Sequence, residues 1–171
     1  ENLDNNCLDT IVKNIEIFSS YVNAGLDMEI CKGETVYMNA LGSLSDFNWF
    51  PSLGLSDTSI ANPSASPLVS TSYVVKNYDG MCTAFDTIHV LVHDDVPNPN
   101  FVSNNMCEND TVEFSSVSGT NTNNIAWQWS FGSSNQNPSF PFPVGNHDIT
   151  LIVENLDNNC LDTIVKNIEI F

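Results

Sequence analysis

The eighteen residues Glu1–Phe18, ENLDNNCLDTIVKNIEIF, recur without one change at Glu154–Phe171, 153 positions later. Chance does not produce identity of that length, and self-similarity at a fixed period marks a repeat array. The 171 residues then hold one 153-residue unit preceded by the tail of another. Residues 1–18 are expected to be the C-terminal strands of the preceding unit's second domain, cut away from the rest of it.

A weaker repeat lies inside the first. Cys31-Lys-Gly-Glu-Thr-Val-Tyr-Met38 parallels Cys107-Glu-Asn-Asp-Thr-Val-Glu-Phe114, and both place apolar side chains two apart. Cys82 precedes Asp86-Thr87-Ile88, just as Cys160 precedes Asp162-Thr163-Ile164 and Cys7 precedes Asp9-Thr10-Ile11. Cys31 to Cys107 is 76 positions and Cys82 to Cys160 is 78, each close to half the long period. The unit therefore reads as two related domains, 22–94 and 96–171, joined near Asp94-Asp95-Val96-Pro97.

Apolar residues alternate with period two at Leu26, Met28, Ile30; Val36, Met38, Ala40; Ile88, Val90, Val92; Ile125, Trp127, Trp129; and Ile149, Leu151, Val153. Such alternation predicts half-buried strands. Clusters such as Pro51-Ser-Leu-Gly54, Asn62-Pro63-Ser-Ala-Ser-Pro67 and Asn135-Gln-Asn-Pro138 predict the turns between them. No sustained helical stripe appears. The expected fold is all-β, two tandem antiparallel β-sandwiches of about 75 residues each.

Trp129-Ser-Phe-Gly132, Asn137-Pro138, Gly145, His147 and Ile149-Thr-Leu-Ile-Val153 resemble the PKD domain pattern Trp-Asp-Phe-Gly-Asp-Gly, Asn-Pro, Gly-x-Tyr-x-Val-x-Leu-x-Val over about 96–171. Ser130 and Ser133 replace acidic residues of that pattern. Residues 22–94, with Ile30-Cys-x-Gly-Glu34, Trp49-Phe-Pro51, Gly54-Leu-Ser56, Ile60-Ala-Asn-Pro63 and Thr71-Ser-Tyr-Val-Val75, look like the immunoglobulin-like modules that alternate with PKD domains. The resemblance is to large Bacteroidota surface proteins exported by the type IX route, including gliding adhesins and secreted filaments. It implies a spacer or adhesive role at the cell surface.

Each domain holds a cysteine, then a tryptophan 18 to 22 residues on, then a second cysteine, an order that invites an immunoglobulin-like core. Equivalent positions suggest Cys31 with Cys82 and Cys107 with Cys160, one of three pairings that four cysteines allow. Cys7, the copy of Cys160, would then pair with the preceding unit's copy of Cys107. Disulfides imply an oxidising compartment, here the cell surface or the extracellular space.

Charge narrows the function further. Twenty-one acidic residues face four lysines and no arginine, a net charge of −17 that repels phosphate backbones and excludes a nucleic-acid role. No run of about 18 apolar residues predicts a membrane span in this segment, and no signal peptide opens it. Targeting signals are expected elsewhere in a longer protein.

No Gly-x-Ser-x-Gly elbow or cysteine–histidine arrangement points to catalysis, so a non-enzyme is expected. His89 and His93 lie about 13 Å apart on one strand face, too far to share a metal. No cofactor is expected beyond calcium, for which Asp94, Asp95, Glu108 and Asp110 are the candidate ligands, against solvated acidic turns as the plainer reading. Thr10, Thr87, Thr111 and Thr163, in Asp-Thr-apolar triplets, resemble O-glycosylation sites of exported Bacteroidota proteins; the same triplet is also how a strand begins. Trp49, Trp127 and Trp129 would form a glycan platform if exposed, but alternation places at least one per domain in the core, against the disulfide. The expected function is a non-catalytic structural repeat of a stalk- or filament-type adhesin. A glycan- or surface-binding module is the alternative, and an accessory domain of a secreted hydrolase a third reading. Expected partners are neighbouring repeats, through strand exchange or lateral contacts, and surface glycans.

Overall fold

A computed structural model describes residues 10–104, 107, 110–119 and 121–171 of the chain. Its strands in the first half are β1 (Val22–Asn23), β2 (Met28–Cys31), β3 (Val36–Tyr37), β4 (Leu41–Gly42), β5 (Asp46–Phe50), β6 (Ser64–Ala65), β7 (Thr71–Tyr78) and β8 (Thr83–His93). Those in the second half are β9 (Phe101–Ser103), β10 (Thr111–Ser116), β11 (Ile125–Trp129), β12 (Ser139–Pro141), β13 (Gly145–Asn155) and β14 (Cys160–Ile170). The described residues contain no helix, in keeping with the turn-rich, period-two sequence.

In the first sandwich one sheet runs β2-β8-β7-β5, faced by the small pairs β1-β4 and β3-β6. Val75, Ile88 and Val90 from the large sheet share one core with Met38 and Ala40, between β3 and β4, and with Ala65 of β6, Trp49 and Tyr73. Burying a side chain of this size removes roughly 1.5–3 kcal/mol of unfavourable apolar hydration. The alternation at 26–30 holds only in part: Ile30 is buried, but Leu26 is exposed, because it follows Gly25 in a turn at φ +101°. Unlike the all-antiparallel expectation, β2 pairs with β8 in parallel, Met28 beside Val90 and Cys31 beside His93. First and last strands that run the same way put the chain's arrival and departure at opposite ends of the sandwich. Domains of that kind extend an array instead of folding it back.

The second sandwich stacks β12-β10-β9 on β11-β13-β14. Its core is aromatic: Phe101, Phe114 and Trp129 meet in mutual contacts with centroids 5.1 to 5.9 Å apart. Phe131 and Phe142 close its side. Buried tryptophan in each sandwich agrees with the alternation. Neither core contains the disulfide, so the expected tryptophan-on-disulfide packing does not occur.

The exact repeat supplies a control on what makes a strand. In β14, Ile168 and Ile170 are 6% and 2% exposed because β13 pairs along the whole strand. Their copies Ile15 and Ile17 are 83% and 90% exposed, in a stretch with no strand. Identical residues need the partner strand before period two becomes structure. The described residues 10–18 are all exposed and do not pack on the following sandwich; residues 1–9 lie outside the described part.

Two hairpins share a sequence: Asn77-Tyr-Asp79-Gly-Met-Cys82 and Asn155-Leu-Asp157-Asn-Asn-Cys160. Asn77 and Asn155 are both buried. Asn77 accepts from the Leu44 N–H and donates to the carbonyls of Leu44 and Asp46, satisfying backbone that the sandwich would otherwise bury unpaired. The Asp79 carboxylate accepts from the N–H groups of Cys82 and Met81, which hold its pKa below the ordinary value near 3.8. Asp157 is lowered likewise by Thr122 and Asn124. A carboxyl with a depressed folded pKa stabilises the fold above its unfolded value and loses that contribution as pH falls through the folded one. Melting curves between pH 5 and pH 2 are therefore expected to fall less steeply for Asp157→Asn than for the parent.

Candidate functional site

The chain leaves the first sandwich at His93, where the His93 carbonyl accepts from the Lys32 N–H at 2.8 Å and Cys31 lies alongside. It enters the second at Asp95, and a group of asparagines grips it there. Asn155 Nδ2 donates to the Asp95 carbonyl and to its carboxylate, each at 3.1 Å. Asn158 Nδ2 donates to the same carbonyl, while Asn158 Oδ1 accepts from the Cys160 N–H at 2.9 Å. Asn121 donates to Asp95 Oδ1 through both its backbone and its side chain. His93 Nε2 lies 3.1 Å from Glu29 Oε2 on the other side of the junction.

The covalent bond sits in the same place. Cys31 is joined to Cys160, Cα–Cα 5.7 Å, across 129 positions of sequence. This corrects the expected pairing of Cys31 with Cys82 and Cys107 with Cys160. Cys82 lies at the opposite end of the eleven-residue β8 from Cys31, roughly 35 Å away at ~3.3 Å per residue, when a disulfide needs Cα atoms within about 7 Å. Cys107 is likewise at the far end of its sandwich from Cys160. Lys166 Nζ, six residues along β14, donates to the Phe101 carbonyl, and the chain runs on past Ser103 before reaching Cys107. Cys82 and Cys107 are free thiols in this chain, half-buried and exposed respectively. Cys7 lies outside the described residues.

Other predicted residues do not assemble. Asp95 spends its carboxylate on Asn121 and Asn155, and Asp94 and Asp110 lie at opposite ends of the second sandwich; Glu108 lies outside the described residues. Among the described residues no three His, Cys, Asp or Glu side chains converge in a way that would hold a metal. Thr10, Thr87, Thr111 and Thr163 are all exposed. Asp86, from one of these triplets, accepts from the Ala24 N–H at 2.8 Å and so pins the arriving chain.

Ser72 Oγ does meet His89 Nδ1 at 2.7 Å. The nearby Asp27 carboxylate accepts from the His89 backbone N–H and not from its ring, so the pair lacks the orienting acid of a nucleophilic triad. A surface depression of about 380 Å³ between Val102–Asn104, Glu113–Ser115 and Asn137–Ser139 has Glu113 as its titratable group, tied to Asn104 Nδ2 at 2.6 Å. Asn121 and Asn155 are not among the residues the sequence singles out, and Asn158 stands out there only as part of an amide-rich late turn; the paired Asn-x-Asp-x-x-Cys hairpins are the available signal.

No protein-family profile matches the chain, and no curated protein does. Among solved structures it is similar to the N-terminal eight Ig domains of the Down syndrome cell adhesion molecule DSCAM, at 11% identity and TM-score 0.53, covering 88% of this chain and 27% of that one. It also aligns with the fibronectin(III)-like modules of Clostridium thermocellum CbhA at 11% identity and TM-score 0.39, covering 87% and 93%. Extracellular domains 3–5 of Drosophila OTK align at 8% identity and TM-score 0.44, covering 85% and 59%. The fold is that of tandem Ig-like β-sandwiches. The chain spans about a quarter of the DSCAM structure's length. Such sandwiches and a disulfide are typical of extracellular domains. No helix among the described residues is long and apolar enough to cross a membrane.

Proposed function

We propose that the chain is a non-catalytic structural repeat of a long extracellular stalk or filament, of the kind its sequence resembles in type IX-exported Bacteroidota adhesins. The observation that carries this reading is the junction. The disulfide and the densest polar grip on the linker lie between the two sandwiches, where they fix one domain's direction relative to the next. A spacer needs this and a ligand pocket does not. Arrival and departure at opposite ends of the first sandwich, and an exact eighteen-residue repeat at an offset of 153, support carrying that geometry from unit to unit. A net charge of −17 keeps such a rod from collapsing on itself or its neighbours.

Small-angle scattering on one and then three 153-residue units, with and without calcium, tests the proposal. Maximum dimension is expected to grow in proportion to unit number. A calcium-dependent gain would assign the ion to the acidic junction. Three units that stay compact or flexibly jointed would overturn the stalk and turn attention to glycan binding, for which half-buried Trp127 between two surface depressions is the residue to test.

A further inference from the structure

We propose that Cys107 of each unit forms a disulfide with Cys82 of the unit that follows, so that every junction of the array, between units as well as within them, carries one covalent staple. The inference rests on the repeat-array reading above and names the partner of the two free thiols among the described residues, Cys82 and Cys107: a second copy of this chain.

Three observations place the two cysteines in the roles that Cys31 and Cys160 already play. The first is the local turn. The Glu34 N–H donates to the Cys31 carbonyl at 3.0 Å, and the Asp110 N–H donates to the Cys107 carbonyl at 3.2 Å, the same three-residue return after each cysteine. Cys160 opens β14 behind Asn155-x-Asp157, and Cys82 immediately precedes β8 behind Asn77-x-Asp79. One cysteine of each kind occurs in each sandwich.

The second is position along the array. Cys31 stands where the chain leaves the first sandwich and Cys160 where it enters the second, and these two are bonded. Cys107 stands at the end where the chain leaves the second sandwich, the end that holds Gly145 and Ile170. Cys82 stands where the chain enters the first, beside Thr83, whose carbonyl accepts from Ser20 Oγ. The departing-end cysteine of one domain bonds to the arriving-end cysteine of the next at the observed junction. The same rule leaves Cys107 and Cys82 facing each other across the junction between units.

The third is spacing. Cys107 follows Cys82 by 25 positions, so a 153-residue period places the next unit's Cys82 128 positions beyond Cys107. Cys31 and Cys160 are 129 apart. The rule also accounts for which thiols are free here, since each lacks only the neighbour that would supply its partner.

Bond formation needs a disulfide donor, for which oxidised glutathione suffices. The Cys82 thiolate attacks the donor, giving a mixed disulfide and releasing one glutathione thiolate. The Cys107 thiolate of the preceding unit then attacks the Cys82 sulfur, forms the Cys107–Cys82 bond and expels the second. Two protein thiols are oxidised and one glutathione disulfide is reduced to two thiols.

The test compares the 171-residue chain with a tandem in which a second copy of residues 19–171 follows Phe171, both carrying Cys7→Ser and both equilibrated with oxidised glutathione at low micromolar concentration. Mass spectrometry maps the protein disulfides. The single chain is expected to keep two of its four remaining cysteines, Cys82 and Cys107, outside any protein disulfide. The tandem, with eight, is also expected to keep two: Cys82 of the first unit and Cys107 of the second. Cys107→Ser in its first unit alone is expected to raise that number to three. Four unbridged cysteines in the parent tandem, with both Cys31–Cys160 bonds in place, would overturn the proposal, and so would any other partner for Cys107. That failure would leave the stalk reading to its own scattering test, which measures length and not sulfur.

Discussion

Trp129→Ala is expected to destabilise the second sandwich by about 3–5 kcal/mol, the range for truncating a fully buried aromatic. The indole is 2% exposed and touches Phe101, Phe114 and Phe131 on its several sides, so the cavity left behind would be lined by rings that cannot all move inward together. Its N–H donates to the Asn135 carbonyl at 2.9 Å and anchors the loop after the Trp129-Ser-Phe-Gly132 turn. A domain of about 75 residues has roughly 5–15 kcal/mol in all, so this single change removes a large share of it. The melting temperature of the second sandwich should fall by more than about 12 °C, at ~4–8 °C per kcal/mol for a domain of this size. Thermal unfolding followed by near-ultraviolet circular dichroism checks it, with Trp127→Ala as the comparison. Trp127 is two residues away on the same strand but half-buried, and should lose under half as much. Equal losses at the two positions would mean that the deeper burial of Trp129 does not set the cost of its truncation.

Period two assigns Trp127 and Trp129 to one face and so places at least one tryptophan of this domain in the core, but it does not say which of the two is fully buried. The cores were legible for the same reason: Ile88, Val90, Val92 and Ile149, Leu151, Val153 alternate in long strands and are buried as their pattern requires. Where alternation ran into a turn, at Leu26, it misled. The junction was not legible from periodicity at all, since asparagine reads as a turn residue whether it faces water or grips a linker. Asn77 and Asn155 occupy equivalent places, yet one satisfies its own domain's loop and the other reaches the preceding linker. The disulfide was misassigned because equivalence between domains was taken to mean pairing within each one. Equivalent cysteines do pair by one rule here, but the rule runs from one domain to the next, and the spacings of 76 and 78 positions are compatible with either. Strand length alone does not decide it: Cys31 lies a whole strand away from Cys82 because β2 runs parallel to β8, against the antiparallel expectation that the sequence supports.

The double change Cys31→Ser/Cys160→Ser is expected to lower the stability of the single chain by up to about 5 kcal/mol, whereas Cys82→Ser and Cys107→Ser should leave it nearly unchanged. The bond closes a loop of 129 positions containing most of both sandwiches, and the chain-entropy relation gives ~5 kcal/mol for a loop of that length. That figure applies when the whole loop unfolds together; sandwiches that melt one after the other would show less of it, and only in the later transition. At ~2–4 °C per kcal/mol for a chain of this size, the main transition of the double variant should come about 10–20 °C lower under oxidising conditions. Under reducing conditions it should coincide with that of the parent. Coincidence under oxidising conditions as well would show that no bond forms in solution. A parent that melts as one unit and a variant that melts as two would show how the staple acts. The asparagine grip on Asp95 uses exposed or half-buried hydrogen bonds worth roughly 0.5–1.5 kcal/mol each, which water can replace as the angle between sandwiches changes. A covalent bond at the same point cannot be exchanged for water. It makes the junction a fixed joint, so an array of such units under tension would pass load through sulfur at the seams and unfold a sandwich only when the seam holds.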